Sequence, residues 1–160
     1  MQVLKGHALR KGRYSESGRI YLVTTCCFER RTHFRRDQAA ILVMEELRRQ
    51  GQVGDCLSLA YVVMPDHAHW LVQLTGSTGL SKIVGRLKGR TSYLLGRSNP
   101  SLGRIWQSGF HDHALRTEED LADIGNYLIH NPVRAGIVDD VDKYSYWDSI
   151  WHRRYLMGRG

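Results

Sequence analysis

Cysteine is scarce in this chain: Cys26, Cys27 and Cys56 are the only three among 160 residues. The number is odd and no CxxC pair occurs, which argues against a disulfide framework and against a zinc knuckle. Cys26 and Cys27 are neighbours, so on a strand they point to opposite faces and do not pair. All three read as reduced thiols of a cytoplasmic protein. Long apolar runs are also missing. No stretch approaches the roughly 18 residues of a membrane helix, so no membrane partner is expected. The stretch MQVLKGHALRKGRY is basic but lacks the apolar centre of a secretory signal. Acidic residues fall short as well, with 16 Asp and Glu against 23 Lys and Arg, a formal charge of +7. An excess of this size on a small domain is a footprint of nucleic-acid binding, although a generally basic surface gives the same total.

The length fits one domain, taken as residues 1–160, with a basic arm over 1–18 and a basic, aromatic tail over 148–160. No internal repeat or low-complexity tract interrupts it. RIYLVTTCCF (19–28) is rich in β-branched and aromatic residues and predicts a strand. ERRTHFRR (29–36) is a basic loop. Asp37 is placed to cap a helix over 38–50, with Gly51 as its stop. CLSLAYVVM (56–64) and HAHWLVQL (67–74) predict two strands joined by a turn at Pro65 and Asp66. Apolar residues at helical spacing predict a helix over 80–96, although Gly85 and Gly89 weaken it by about 1 kcal/mol each. Residues 105–116 are partly extended. Thr117 and Asp120 fit a capping box for a helix over 118 to 130, which Asn131-Pro132 ends. This order describes an α+β domain: a central antiparallel sheet flanked by helices.

His67 and His69 break the apolar pattern of the third strand. Side chains at i and i+2 share a face, roughly 6.5 to 7 Å apart along the chain. Two imidazoles placed in this way can converge on one metal ion, or each can be satisfied separately by hydrogen bonds. On the last helix Tyr127 and Asn131 are four apart and flank the stripe of Leu121, Ile124 and Leu128. Tyr127 can present a hydroxyl at the seam between helix and sheet, and Asn131 an amide oxygen to a cation. Equally, Tyr127 can be a packing residue and Asn131 a helix cap.

Three stretches together are more specific: VVMPDHAHWLV, WQSGFHDHALR and YLIHNPVRAGIV, in that order. They resemble the REP-associated tyrosine transposases, relatives of the single-tyrosine transposases in the HUH nuclease superfamily. The resemblance runs from about Tyr14 to Trp147. It implies a ferredoxin-like or RRM-like HUH fold, single-stranded or hairpin DNA with REP-like repeats as substrate, and Mg²⁺ or Mn²⁺ as cofactor. It implies His67, His69 and Asn131 as metal ligands, and Tyr127 as the nucleophile that forms a 5′-phosphotyrosine link during cleavage and strand transfer. One departure is visible. His111 stands where the family has an aromatic residue, so His111 reads as incidental and His113 as structural.

The basic residues divide into an arm (Arg10, Lys11, Arg13), a loop (Arg30, Arg31, Arg35, Arg36) and a helix (Lys82, Arg86, Lys88, Arg90). All are candidate phosphate contacts. Tyr14, Trp106 and Phe110 are candidate base-stacking residues, with Trp106 equally suited to the core. A monomer is favoured over a homodimer. The competing reading is a repeat-binding protein of the same fold whose cleavage is lost or secondary. A hydrolytic enzyme that uses water in place of Tyr127 is a third.

Overall fold

In this computed structural model, residues 18–116 and 120–152 are described. Five strands among them form one sheet, antiparallel at every pairing. They are β1 (Ile20–Cys26), β2 (Cys56–Met64), β3 (His67–Leu74), β4 (His111–Ala114) and β5 (Trp147–Ser149). The order across the sheet is β4-β1-β3-β2-β5. β2 and β3 hold the predicted bounds, because a two-residue turn at Pro65 and Asp66 ends one period-2 run and starts the next. β3 is therefore the middle strand, and its two histidines lie at its N-terminal end, beside the turn from β2.

Alternation along the strands divides the core into two layers. Trp70, Val72 and Leu74 of β3 face one way, with Val23, Tyr61 and Val63 beside them. Helices α1 (Asp37–Gln50) and α2 (Leu80–Ser98) cover that layer through Val43, Leu47, Ile83, Val84 and Leu87. Leu71, two residues beyond His69, faces the other way with Ala60, Val62 and Met64. Helix α3 (Leu121–Ile129) covers this second layer with Leu128 and Ile129, and Tyr144, Trp147 and Trp151 of the returning tail close it.

Several helix ends differ from expectation. Asp37 is the first residue of α1, not its cap, and Arg36 occupies the cap position without a side-chain bond. The Asp37 carboxylate instead accepts the Tyr146 hydroxyl of the tail, while its charge complements the helix N-terminus. Helix α2 runs past Gly96 to Ser98, whose hydroxyl donates to the Leu95 carbonyl at 3.0 Å. Its three internal glycines, Gly85, Gly89 and Gly96, are tolerated because the stripe of Leu80, Ile83, Val84, Leu87 and Leu95 is buried. Helix α3 is capped by Asp120, which accepts from the Asp123 amide at 3.1 Å, and starts at Leu121. Thr117 lies outside the described residues. Trp106 and Phe110 are buried and offer no stacking surface. Trp106 packs on Phe34 with ring centroids 5.1 Å apart and donates Nε1–H to the Thr91 hydroxyl at 2.8 Å.

All three cysteines are free and buried. Burial pushes the Cys27 thiol up to about 12 and the Cys56 thiol up to about 11. Both stay protonated and inert at neutral pH.

Candidate metal and nucleophile site

His67 and His69 lie edge to face on β3, with ring centroids 4.8 Å apart and planes at 83°. Each ring is held by its Nδ1. His67 Nδ1 meets Asp66 Oδ1 at 2.7 Å, and His69 Nδ1 meets the Thr24 hydroxyl at 2.8 Å. Thr24 is the residue directly opposite His69 on β1. With both Nδ1 atoms engaged, the Nε2 atoms are the ones left to ligate, the usual arrangement in which outer partners fix ring orientation.

Asp66 is shared. Its second oxygen takes Arg30 Nε at 3.1 Å. Burial works against its charge, but the His67 hydrogen bond and the charges of His67 and Arg30 outweigh that and hold the carboxyl below the usual carboxylate range. An ionised Asp66 accepts, so Nδ1 is the donating atom of His67, and in the neutral ring Nε2 carries the lone pair. Arg30 also donates Nη1–H to Cys26 Sγ at 2.8 Å. It reaches both partners from an unusual backbone: Glu29 and Arg30 have φ of 53° and 54°. Two successive non-glycine residues in the left-handed region cost on the order of 1 kcal/mol each.

Burial holds His69 down to about 3, with the charges of His67, Arg134 and Arg30 adding to the effect. The ring is therefore neutral across the physiological range, the form that binds a metal.

Tyr127 and Asn131 do not share one helix. α3 ends at Ile129, His130 is a turn residue, and Asn131 begins a one-turn helix, α4 (Asn131–Arg134). Pro132 is the cause. It has no N–H to give the Leu128 carbonyl one turn back. The Asn131 side chain supplies that bond instead, Nδ2 to Leu128 O at 2.9 Å. This fixes the amide and leaves Oδ1 as the atom with lone pairs to offer. Two imidazole nitrogens and one amide oxygen are donors of the kind that suit a divalent ion with open positions. Among the described residues no cluster of three His, Cys, Asp or Glu competes with it.

Tyr127 is 66% exposed, on the same helix whose Leu128 and Ile129 pack over the histidine-bearing side of the sheet. The Arg134 guanidinium lies over its ring, Cζ 3.6 Å from the centroid.

The predicted basic residues separate by layer. Arg30 is at the site. Arg31 pairs with Glu29 at 3.0 Å, and Arg35 and Arg36 are exposed beside it. The α2 set faces away, on the other side of the sheet, and three of its four members have partners within the chain. Arg86 grips Asp55 bidentately at 2.8 and 2.9 Å, Arg90 Nε meets Glu46 at 2.9 Å, and Lys88 donates to the Gln107 and Gly109 carbonyls, both at 2.7 Å. Lys82 is exposed. Arg10, Lys11, Arg13 and Tyr14 lie outside the described residues. On β4, His111 is opposite Thr24 and His113 opposite Leu22, so both share the face of His69; His111 is exposed and His113 partly buried.

Sequence reasoning missed Thr24, Asp66 and Arg134. Asp66 had a signal, since it directly precedes His67, but it was read only as a turn residue. Thr24 had none, because strand register is not local. Arg134 is seven residues after Tyr127, one helical face apart, and the proline between them hid that relation.

Comparison with known proteins identifies the family and the fold. Residues 16–131, well over half of the chain, match the family model described as transposase, IS200-like. The chain is 30% identical over 106 residues to a Haemophilus influenzae protein and 31% over 100 residues to an Escherichia coli protein, both named as REP-associated tyrosine transposases. Those matches cover 60% and 62% of this chain, and it spans only 59% and 56% of the two relatives. A solved structure of a REP-associated tyrosine transposase bound to a REP hairpin superposes with a TM-score of 0.73 at 25% identity, covering 91% of this chain and 84% of that one.

Proposed function

Because the chain belongs to the IS200-like transposase family, we propose that it is a metal-dependent endonuclease and strand transferase for single-stranded, hairpin-forming DNA of the REP type. The observation that carries this reading is the pair His67 and His69, each anchored through Nδ1, on the side of the sheet covered by the helix of Tyr127. The solved relative that binds a REP hairpin supports the choice of DNA.

His67 and His69 through Nε2, and Asn131 through Oδ1, would hold Mg²⁺ or Mn²⁺, which when bound supplies Lewis acidity toward a non-bridging phosphate oxygen. The chain's own residues do the rest. Asp66 and Thr24 keep the imidazoles oriented. Tyr127 Oη attacks phosphorus, the Oη–P bond forms and the P–O3′ bond breaks. The phenolic proton passes to solvent, and the departing 3′ oxygen takes one up. The product is a 5′-phosphotyrosine and a free 3′-OH. One phosphoester is exchanged for another, so a second 3′-OH can reverse the step and join strands without an outside energy source. The exposed Arg35 and Arg36, in the loop after β1, would hold the backbone of the incoming strand, while Arg30, held by Asp66, and the paired arginines of α2 are structural.

The test is covalent trapping. Labelled hairpin oligonucleotides from repeats flanking the gene are incubated with protein and Mn²⁺, then run on a denaturing gel. The expected result is a slow, metal-dependent band that Tyr127→Phe and His67→Ala both abolish. Cleavage that persists in Tyr127→Phe without an adduct would point to water as the nucleophile. Binding without cleavage by metal-loaded protein would point to a repeat-binding protein.

A further inference from the structure

Arg134 has the placement of a group made for an anion. Among the described residues it forms no ion pair, although Arg30, Arg31, Arg86 and Arg90 all do. Its position is set by backbone geometry. The turn at His130 starts α4, and the Arg134 amide closes that turn on the His130 carbonyl at 3.0 Å. From there the guanidinium covers the Tyr127 ring at 3.6 Å. Stacking uses the face of a guanidinium and leaves its in-plane N–H donors free at the edge. The short helix that carries Arg134 packs on β2, the strand beside the histidine-bearing β3. Arg134 thus stacks on the nucleophile from an element seated next to the histidine strand, and a phosphate attacked by Tyr127 and polarised beside the histidines must sit between them.

We propose that Arg134 is a catalytic residue that binds a non-bridging oxygen of the scissile phosphate edge-on while its face holds the Tyr127 ring. Nucleophile and phosphate-binding cation then travel together on one helix–turn–helix unit. The inference rests on the tyrosine-nuclease reading above.

The experiment compares wild type, Arg134→Gln and Arg134→Lys in single-turnover adduct formation on two hairpin substrates. One carries the natural phosphodiester at the cleavage position and the other a methylphosphonate, which lacks the negative charge. Fluorescence anisotropy measures DNA affinity, and circular dichroism checks the fold. The expected defect of Arg134→Gln on the phosphodiester is about 100-fold in adduct rate, the usual scale for losing one charge-stabilising donor. On the methylphosphonate the defect shrinks to a few-fold, because there is no charge left to neutralise, and DNA affinity stays near wild type. Arg134→Lys keeps the charge and retains more rate than Arg134→Gln; if Arg134→Gln fails to fold, Arg134→Lys carries the same comparison between substrates. An equal defect on both substrates overturns the proposal, since that is the mark of a purely structural role, and so does wild-type rate in Arg134→Gln. If wild type itself gives no Tyr127-dependent adduct, the tyrosine-nuclease reading fails first, which a wild-type lane on the same gel distinguishes.

Discussion

Gly125, two residues before Tyr127, is where α3 meets the tail most closely. A Cβ placed on it would lie 2.8 Å from Trp151 Cζ3 and 2.9 Å from Cε3, with Ala60 Cβ behind at 3.8 Å. The obstacle is a rigid indole ring, not the end of a flexible chain. Gly125→Ala brings two opposed effects. Alanine favours the helix by up to about 1 kcal/mol over glycine. Overpacking against a ring that cannot fold aside costs about 1–3 kcal/mol. With a rigid ring in the way overpacking is the larger, so the expected net loss is up to about 2 kcal/mol. For a domain of this size that corresponds to a fall in Tm of up to about 8 °C, followed by far-UV circular dichroism. The structure makes a sharper statement about sign. On a Trp151→Ala background the ring is gone and only the helix preference remains, so Gly125→Ala should then raise Tm. A variant that stabilises the wild-type background, or that changes Tm equally in both, would refute the claim that this contact sets how closely α3 approaches the sheet.

Two further outcomes follow from the charged groups. Asp66→Asn removes the carboxylate that accepts from His67 Nδ1 and so unfixes the ring whose Nε2 is the proposed ligand. Mn²⁺ affinity by titration calorimetry should fall about 10- to 100-fold, and an unchanged affinity would exclude an orienting role for Asp66. The second concerns pH. The Arg86 hydrogen bonds hold the Asp55 carboxyl below the usual carboxylate range, so its contribution to stability is complete above the unfolded value of about 3.9 and is lost as pH falls through the lower folded value. Asp55→Asn should therefore cost a constant amount at pH 5 to 7, about 1 kcal/mol or less after allowing for a 34% exposed Arg86 side chain. The Tm gap to wild type should close below about pH 4, and a gap that widens with acid would reverse the assigned sign.

The legible parts of the fold are those fixed by local chemistry. β2 and β3 could be read to the residue because Pro65 and Asp66 punctuate two runs of alternating pattern, and the face shared by His67 and His69 followed from that alternation. The end of the tyrosine helix came within a residue of its expected place near 130, but the helical turn that restarts at Asn131 was not legible, for an equally local reason. The rule that the residue before proline leaves the α region puts the end at Asn131. The missing N–H of Pro132 acts one turn further back, at Leu128, and ends α3 at Ile129. The acidic partners of α2 were out of reach because Asp55 and Glu46 lie 31 and 44 positions from the arginines they hold. Spacing alone cannot separate a helix that offers its charges to DNA from one that spends them on its own sheet. Trp106 was open between core and surface for the same reason, since its partners Phe34 and Thr91 come from two other elements.

The distribution of irregular features locates the working face independently of any family likeness. On the α1 and α2 side, local rules are obeyed: apolar stripes are buried and the arginines of α2 at positions 86 and 90 are matched by carboxylates. On or beside the other face stand two imidazoles on a central strand, two left-handed non-glycine residues, and a guanidinium without an ion pair among the described residues, over an exposed tyrosine. Each of these lowers stability or leaves it unimproved, and violations of this kind gather where structure serves a ligand. The sign of the ligand follows from the charges. Around the two imidazoles and the tyrosine, Asp66 supplies one negative charge against Arg30 and Arg134, so this cluster is positive even with both imidazoles uncharged. A divalent cation bound through His67, His69 and Asn131 would make it more so. Such a surface attracts an anion, and under the proposed function, with Tyr127 attacking beside a hard cation and a planar guanidinium, that anion is a phosphodiester.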